Sequence, residues 1–95
     1  MRTLADLKRA VATPNTTLTL VASLAPKTGE VGHKYLNITR RVAKAQTNAV
    51  ALLDPETNRT SWLDYGKATN WSFAGDLATY STDYIILTYR VETAE

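Results

Sequence analysis

Residues 16–24, TTLTLVASL, alternate between leucine and smaller or more polar side chains. Successive side chains of a β-strand point to opposite faces, so this pattern predicts a half-buried strand. One predicted face carries Leu18, Leu20, Ala22 and Leu24, and the other carries Thr17, Thr19, Val21 and Ser23. Threonine, valine, isoleucine and tyrosine recur through the chain, and they favour strands because they fit a pleated, half-buried surface. The fold is therefore expected to rest on a sheet.

A short helix over residues 3–12 is predicted before this strand. Thr3 and Asp6 have the spacing of a capping box, in which a hydroxyl and a carboxylate satisfy free N–H groups of the first turn. Leu7 and Val11 follow on one face of the helix. A helix this short is not stable alone, so its apolar face must pack on the sheet.

Five more strands are predicted downstream, bounded by residues that favour turns. With the first strand taken as residues 16–25, the others cover residues 35–46, 48–53, 60–65, 71–74 and 83–91. Strict alternation fails in the second strand at Arg40 and Lys44. A β-bulge near Arg40 and Arg41 would restore it, because a bulge changes which side chains face inward.

These elements predict a mainly β fold of the α+β class. A short N-terminal helix would pack on a strongly bent antiparallel sheet of five or six strands, or on a small SH3-like barrel. The 95 residues suit a single domain that spans residues 1–95.

Few side chains in this sequence could support catalysis or bind a metal ion. The chain contains no cysteine, which excludes disulfides and thiolate metal sites, and its single histidine is His33 in a predicted loop. The acidic residues lie in predicted turns or at strand ends, where Asp side chains cap turn amides. No P-loop or G-x-G-x-x-G motif is present. We therefore expect no enzyme, no metal site and no cofactor.

Positive charge is concentrated in one segment. Residues 27–44 carry five basic side chains against one acidic, whereas residues 45–95 carry three basic and seven acidic. Lys and Arg neutralise phosphates and Tyr can stack on a base, so this segment predicts a nucleic-acid site. Its members would be Lys34, Tyr35, Arg40, Arg41 and Lys44. The alternative is a solvated strand face with ordinary exposed basic side chains.

Residues 60–73, TSWLDYGKATNWSF, contain both tryptophans of the chain. Strand alternation puts Trp62 on the face opposite Leu63. We expect the side chains of Leu63, Tyr65 and Phe73 to point inward and that of Trp62 to be the exposed one. Exposed aromatic residues often anchor protein interfaces, although each of these could instead belong to the core. The candidate partner-binding residues are Trp62, Tyr65, Lys67 and Trp71.

Three parts of the chain carry a resemblance to known proteins: TLADLKR (3–9) with TLTL (17–20), RVAKAQTNAV (41–50) and SWLDYGKA (61–68). The chain resembles a group of small uncharacterised proteins encoded by phages and prophages of actinobacteria. A proline often stands in those proteins at the position of Gly66. The resemblance implies a viral accessory protein acting in the host cytoplasm, and it implies no activity and no functional residues.

The sequence leads to two functional hypotheses. The first is a non-enzymatic, phage-encoded accessory binding protein that engages a host or phage protein or associates with itself. The alternative is a small-barrel nucleic-acid-binding protein that uses residues 34–44. No apolar run approaches the length of a membrane span and no secretion signal is visible, so we expect a cytoplasmic location and no membrane partner.

Overall fold

The computed structural model describes residues 1–32 and 36–93. A helix, α1 (Leu4–Ala12), precedes an antiparallel sheet. The strands are β1 (Thr17–Ala25), β2 (Glu30–Val31), β3 (Thr39–Ala45), β4 (Ala49–Asp54), β5 (Arg59–Asp64), β6 (Trp71–Ala74), β7 (Leu77–Ser81) and β8 (Ile86–Glu92), with a short 3-10 turn (Ala68–Asn70) between β5 and β6. Their order across the sheet is β5-β4-β3-β1-β8-β7-β6, and β2 pairs with β1.

The predicted fold class is confirmed: the structure is mainly antiparallel sheet with one short N-terminal helix. The strand order ends at β5 on one side and at β6 on the other. No ladder joins these two strands within the part of the chain that the structure describes, so the sheet is open rather than closed into a barrel.

The predicted capping box forms at the start of α1. The Asp6 N–H donates to the Thr3 hydroxyl at 3.2 Å, and the Asp6 carboxylate accepts from the Thr3 N–H at 3.3 Å. The Arg2 N–H also donates to this carboxylate, and that bond is the main cause of a lowered pKa for Asp6. Leu7 and Val11 are buried, so the helix packs its apolar face as predicted.

The core lies on one face of the sheet, here called the inner face, beneath α1. Alternate residues of the central strands supply it, as strand geometry requires. Its buried members are Leu7, Val11, Leu18, Leu20, Val50, Leu52, Tyr65, Trp71, Ala78, Tyr89 and Val91. The opposite side of the sheet is the outer face.

A bulge in β1 corrects one prediction about its faces. The register between β1 and β8 shifts between Leu20 and Ala22, so Val21 is an extra residue in β1. Leu18 and Leu20 therefore face inward, but Ala22 and Leu24 do not continue their row, and Leu24 is 36 % exposed. The prediction that all four share one face is wrong beyond Val21, because a bulge reverses the alternation that follows it.

A second bulge lies in β3, as the irregular pattern of that strand indicated. The register between β3 and β4 shifts between Val42 and Lys44, so the extra residue is Ala43 rather than a residue near Arg40 and Arg41. The strand is also shorter than predicted, because residues 36 and 37 form a turn. Tyr35, the first residue of the predicted range, lies outside the described residues.

Two strands were not predicted. The short β2 pairs with the end of β1, and β7 pairs with both β6 and β8. Gly75 and Asp76 connect β6 to β7 as a two-residue hairpin turn, and Gly75 has φ 60°, which suits the first position of such a turn. The last strand begins at Ile86, three residues later than predicted.

Candidate functional site

The four candidate partner-binding residues divide between surface and core. Trp62 is 53 % exposed, and Lys67 is also exposed. Tyr65 and Trp71 are 1 % and 8 % exposed and belong to the core. Leu63 is half-buried against the core, as expected from its position opposite Trp62. Of the aromatic residues in this stretch, Trp62 is therefore the one that offers its ring to a partner.

Tyr65 and Trp71 lie on either side of the 3-10 turn and contact each other. The Trp71 indole N–H donates to the Tyr65 carbonyl at 2.7 Å, and the two rings meet at a tilt with centroids 6.5 Å apart. Trp71 also stacks on Phe73 and contacts Tyr80. Burial raises the pKa of Tyr65, whose hydroxyl has no hydrogen-bond partner among the described residues.

Gly66 allows the turn that follows Tyr65. Its φ is 61°, in the left-handed region that favours glycine, and an added Cβ would lie 3.2 Å from the Tyr80 hydroxyl. Proline fixes φ near about −65°. A chain with proline at this position would therefore need a different turn between the two aromatic strands.

The basic segment is split between the two faces of the sheet. Lys34 and Tyr35 lie outside the described residues. Arg40 is half-buried on the inner face, where its charge opposes part of the rise that burial causes in the pKa of Tyr89. Arg41 and Lys44 are exposed on the outer face. They share that face, although they are three residues apart, because the bulge at Ala43 lies between them.

The bulge brings Arg41 and Lys44 to the same surface as Trp62. Lys44 pairs with Ala51, which in turn pairs with Trp62. Ala51 is only 2 % exposed and lies between the two larger side chains. Beside this row, a second row across the same three strands consists of Arg41, Leu53 and Thr60. Together these residues, which we call the Trp62 face, are Arg41, Lys44, Ala51, Leu53, Thr60 and Trp62.

The outer edge of β5 carries unpaired backbone groups. The Tyr65 N–H donates to the Asn48 carbonyl at 3.0 Å, which fixes the hydrogen-bonded positions between β5 and β4. Such positions alternate along an antiparallel pair, so Ser61 and Leu63 also bond to β4. The residues whose N–H and C=O point away from β4 are Thr60, Trp62 and Asp64. No strand within residues 1–32 and 36–93 pairs with this side, which we call the β5 edge.

The edge at the other end of the sheet is partly occupied. The Val91 N–H donates to the Asp76 carbonyl, which fixes the hydrogen-bonded positions between β7 and β8. By the same alternation, the backbone groups of Trp71 and Phe73 in β6 point away from β7. The Trp71 N–H donates to the Ala68 carbonyl in the 3-10 turn. The Met1 ammonium donates to the Gly75 carbonyl at 3.1 Å. Local structure therefore already engages the outward N–H of Trp71 and the carbonyl of Gly75 at this end of the sheet.

A cleft of about 460 Å³ opens beside the first residues of β5. Asp54 pairs with Arg59, and extending the β3–β4 register by one residue puts Arg40 on the other side of Asp54. Asp54 is buried, and its Oδ1 accepts from the Glu56 N–H at 2.9 Å. The residues that line this cleft, which we call the Arg59 cleft, are Ile38, Arg40, Asp54, Thr57, Arg59, Thr60 and Ser61. The sequence pattern had not indicated Arg59 as a site residue, because its pairing with Asp54 depends on the hairpin.

Exposed apolar residues also gather far from β5. Leu24 pairs with Val31 on one side and with Ile86 on the other, all on the outer face. Tyr84 is the most exposed aromatic residue of this region, and the Lys27 ammonium lies 4.6 Å from its ring centroid.

Among the described residues, no group of three or more His, Cys, Asp or Glu side chains is placed to hold a metal ion. His33 lies outside the described ranges. The helix in the described part of the chain is neither long nor apolar enough to cross a membrane.

Comparisons of the chain with models of known protein families, with curated proteins and with solved structures found no match.

Proposed function

We propose that this chain is a non-enzymatic binding protein that engages an extended segment of a partner protein along the β5 edge. The observation that carries the proposal is the combination of outward backbone groups at Thr60, Trp62 and Asp64 with the exposed indole of Trp62. An extended segment can add to such an edge as a new strand, with backbone hydrogen bonds giving affinity and alternate side chains giving specificity.

The composition of β5 supports strand addition. Its sequence, RTSWLD, contains no proline, no glycine and no bulge, and its only charged residues lie at its two ends. Natural proteins commonly protect edge strands with proline, bulges or central charges, because an unprotected edge pairs with other chains. The centre of the β5 edge lacks these protections.

Trp62 supplies the side-chain anchor in this proposal. Tryptophan is enriched among the residues that dominate binding energy in protein interfaces. The indole lies on the outer face beside the edge, where the outward side chains of an added strand would contact it. Arg41 and Lys44 border the same surface and favour a partner with acidic groups around the central contact.

A second copy of the chain fits this edge less well than a different partner. In a two-fold antiparallel pairing of β5 with itself, paired residues must point to the same face. Arg59 points inward with its partner Asp54, whereas Asp64 points outward with Trp62. The two oppositely charged ends therefore cannot meet across the two-fold axis, and a partner with its own charge pattern is favoured.

Selection from a library of random displayed heptapeptides tests the proposal. The expected result is enrichment of β-prone peptides that bind the wild type but not Thr60→Pro, because proline removes an N–H that points to the β5 edge. The bound peptide should shift the backbone amide signals of Thr60, Trp62 and Asp64 in NMR spectra. Equal binding to Thr60→Pro, or failure to enrich any peptide, would refute strand addition at this edge.

Two control variants separate the β5 edge from other exposed aromatic surface. Trp62→Ala should weaken peptide binding by at least about 2 kcal/mol, the size expected when an anchoring tryptophan is removed. Tyr84→Ala removes an aromatic ring that is more exposed than Trp62 and lies in the other apolar region, so it should leave binding unchanged. Light scattering should show a monomer, and a dimer dependent on Trp62 would identify a second copy as the partner instead.

The alternative function, nucleic-acid binding, is favoured by one observation. The register gathers Arg41, Lys44 and Trp62 on one face, where cations could hold phosphates while the indole stacks on a base. Titration of single-stranded oligonucleotides at several salt concentrations, followed by Trp62 fluorescence, tests this function. Binding that weakens steeply with salt and is lost in an Arg41→Ala/Lys44→Ala variant would support it. Absence of binding at low salt would reject it.

The biological setting stays a prediction. The resemblance to phage-encoded proteins would make the partner a host or phage protein, and the site of action the host cytoplasm. Neither the β5 edge nor the Trp62 face depends on that setting.

A further inference from the structure

We infer that the Arg59 cleft receives an acidic side chain of the segment that pairs with β5. The inference rests on the proposed function, since it assigns the charge pattern of the same partner segment. It goes beyond strand addition because backbone pairing alone does not select a sequence.

The cleft contains an arginine that is available to a partner. Arg40, Asp54 and Arg59 form one row across β3, β4 and β5 on the inner face. Arg59 is exposed, and its side chain forms no salt bridge within the described residues. One Asp54 oxygen is engaged by the Glu56 N–H. A carboxylate that enters the cleft would pair with Arg59, because Arg binds carboxylates in a directed, two-bonded geometry.

The position of the acidic residue follows from strand parity. Arg59, Ser61 and Leu63 point to the inner face, and residues of an added strand that lie opposite them point the same way. A side chain opposite Ser61 would thus enter the cleft, of which Ser61 is part of the wall. A side chain opposite Leu63 would instead meet the half-buried edge of the core.

The opposite end of β5 has the opposite charge. Asp64 is exposed on the outer face, and its own backbone N–H and C=O are the last outward groups of the edge. An acidic residue there would be repelled, and a basic residue would be favoured. Every described pairing of the sheet is antiparallel, so we take the partner strand to be antiparallel as well.

These steps define a short partner pattern. From its N-terminus, the segment carries a basic residue opposite Asp64, an apolar residue opposite Leu63, a β-branched residue opposite Trp62, and Asp or Glu opposite Ser61. The β-branched residue is chosen because aromatic and β-branched side chains pack well across neighbouring strands. Because the pairing is antiparallel, the N-terminal residue of the segment lies opposite the C-terminal end of β5.

The probe is the peptide acetyl-Thr-Lys-Val-Ile-Glu-Thr-amide, and its matched control replaces Glu with Gln. Both peptides are titrated into the isotope-labelled wild type and followed by NMR. Both should shift the backbone amides of Thr60, Trp62 and Asp64, which report strand addition. Only the Glu peptide should shift the side-chain Nε–H signal of Arg59, and it should bind about fivefold more tightly, the scale of one partly exposed ion pair.

The outcomes separate the two proposals. If both peptides shift the edge amides equally, with equal affinity and no change at Arg59, strand addition stands and the acidic-residue inference is overturned. If neither peptide shifts the edge amides, the inference falls together with the proposed function. Shifts that are confined to the Leu24 and Tyr84 region would also overturn both.

Variants of Arg59 complete the test. Arg59→Ala should abolish the preference for the Glu peptide while leaving affinity for the Gln peptide unchanged, and Arg59→Lys should restore part of the preference. Arg59 is exposed, so these variants are expected to fold. The fivefold preference should also shrink at high ionic strength. A preference that survives in Arg59→Ala would refute the role of the cleft.

Discussion

The two ends of the sheet carry one tryptophan each and treat it in opposite ways. On β5, Trp62 is 53 % exposed beside an edge whose backbone groups are open to a partner. On β6, Trp71 is 8 % exposed, its indole N–H bonds to the Tyr65 carbonyl, and the edge is partly occupied by the 3-10 turn and the Met1 ammonium. One end of the sheet thus completes the core, and the other remains available for recognition.

Alanine substitutions of the two tryptophans should show this difference most strongly. Trp71→Ala should lower the free energy of unfolding by roughly 3–5 kcal/mol, because it removes a large buried ring and its packing against Phe73 and Tyr80. Trp62→Ala should change it by no more than about 0.5 kcal/mol, as expected for an exposed side chain. Urea unfolding of both variants checks the comparison, and equal losses of stability would show that Trp62 also supports the fold.

Proline substitutions can distinguish the two sides of β5 at neighbouring residues. Ser61→Pro removes an N–H that bonds to β4 and leaves the buried Leu52 carbonyl without that partner, so it should cost roughly 2–3 kcal/mol. Thr60→Pro removes an N–H that points to the open edge and should cost much less. Thermal unfolding measures both variants. A larger loss for Thr60→Pro would mean that the β5 ladder has the opposite hydrogen-bonding phase.

Removing the Tyr65 hydroxyl should change the free energy of unfolding only slightly at neutral pH. Tyr65→Phe removes a buried hydroxyl that has no hydrogen-bond partner among the described residues, so stability should stay constant or rise by up to about 1 kcal/mol. If urea unfolding shows a loss of stability of more than about 1 kcal/mol, the Tyr65 hydroxyl takes part in a hydrogen bond.

The same variant should alter the behaviour at alkaline pH. Burial raises the pKa of Tyr65 and Tyr89 above the ordinary value of 10.0. The unfolded chain therefore loses these protons first, and the free energy of unfolding should fall as the pH rises above about 10. Tyr65→Phe should reduce the steepness of that fall, whereas an unchanged profile would assign the effect to other groups.

The sequence was informative where one local rule decides the outcome. The capping box of Thr3 and Asp6 forms as predicted, because its bonds involve only neighbouring residues. The opposite orientation of Trp62 and Leu63 followed from alternation within a single strand. The missed strand β7 could have been found, because Gly75 and Asp76 form a two-residue turn of the type that joins hairpin strands.

The sequence was less informative where the register between strands decides. The bulge at Val21 moves Leu24 to the outer face, and nothing in the alternation of that strand announces it. The open groups of the β5 edge depend on which residues of β5 bond to β4, and the Arg59 cleft depends on two successive pairings. These properties belong to pairs of strands, so the pattern of one strand cannot fix them.

The bulge at Ala43 makes β3 tolerant of a one-residue deletion. Because Ala43 is the extra residue between Val42 and Lys44, deleting it would restore regular pairing with β4 on both sides of that point. Arg41 and Lys44 would then be two residues apart, and regular alternation would keep both side chains on the outer face. Loss of one codon would thus leave the positive charge beside Trp62 in place, so this strand can change its length in evolution without changing the surface that it presents.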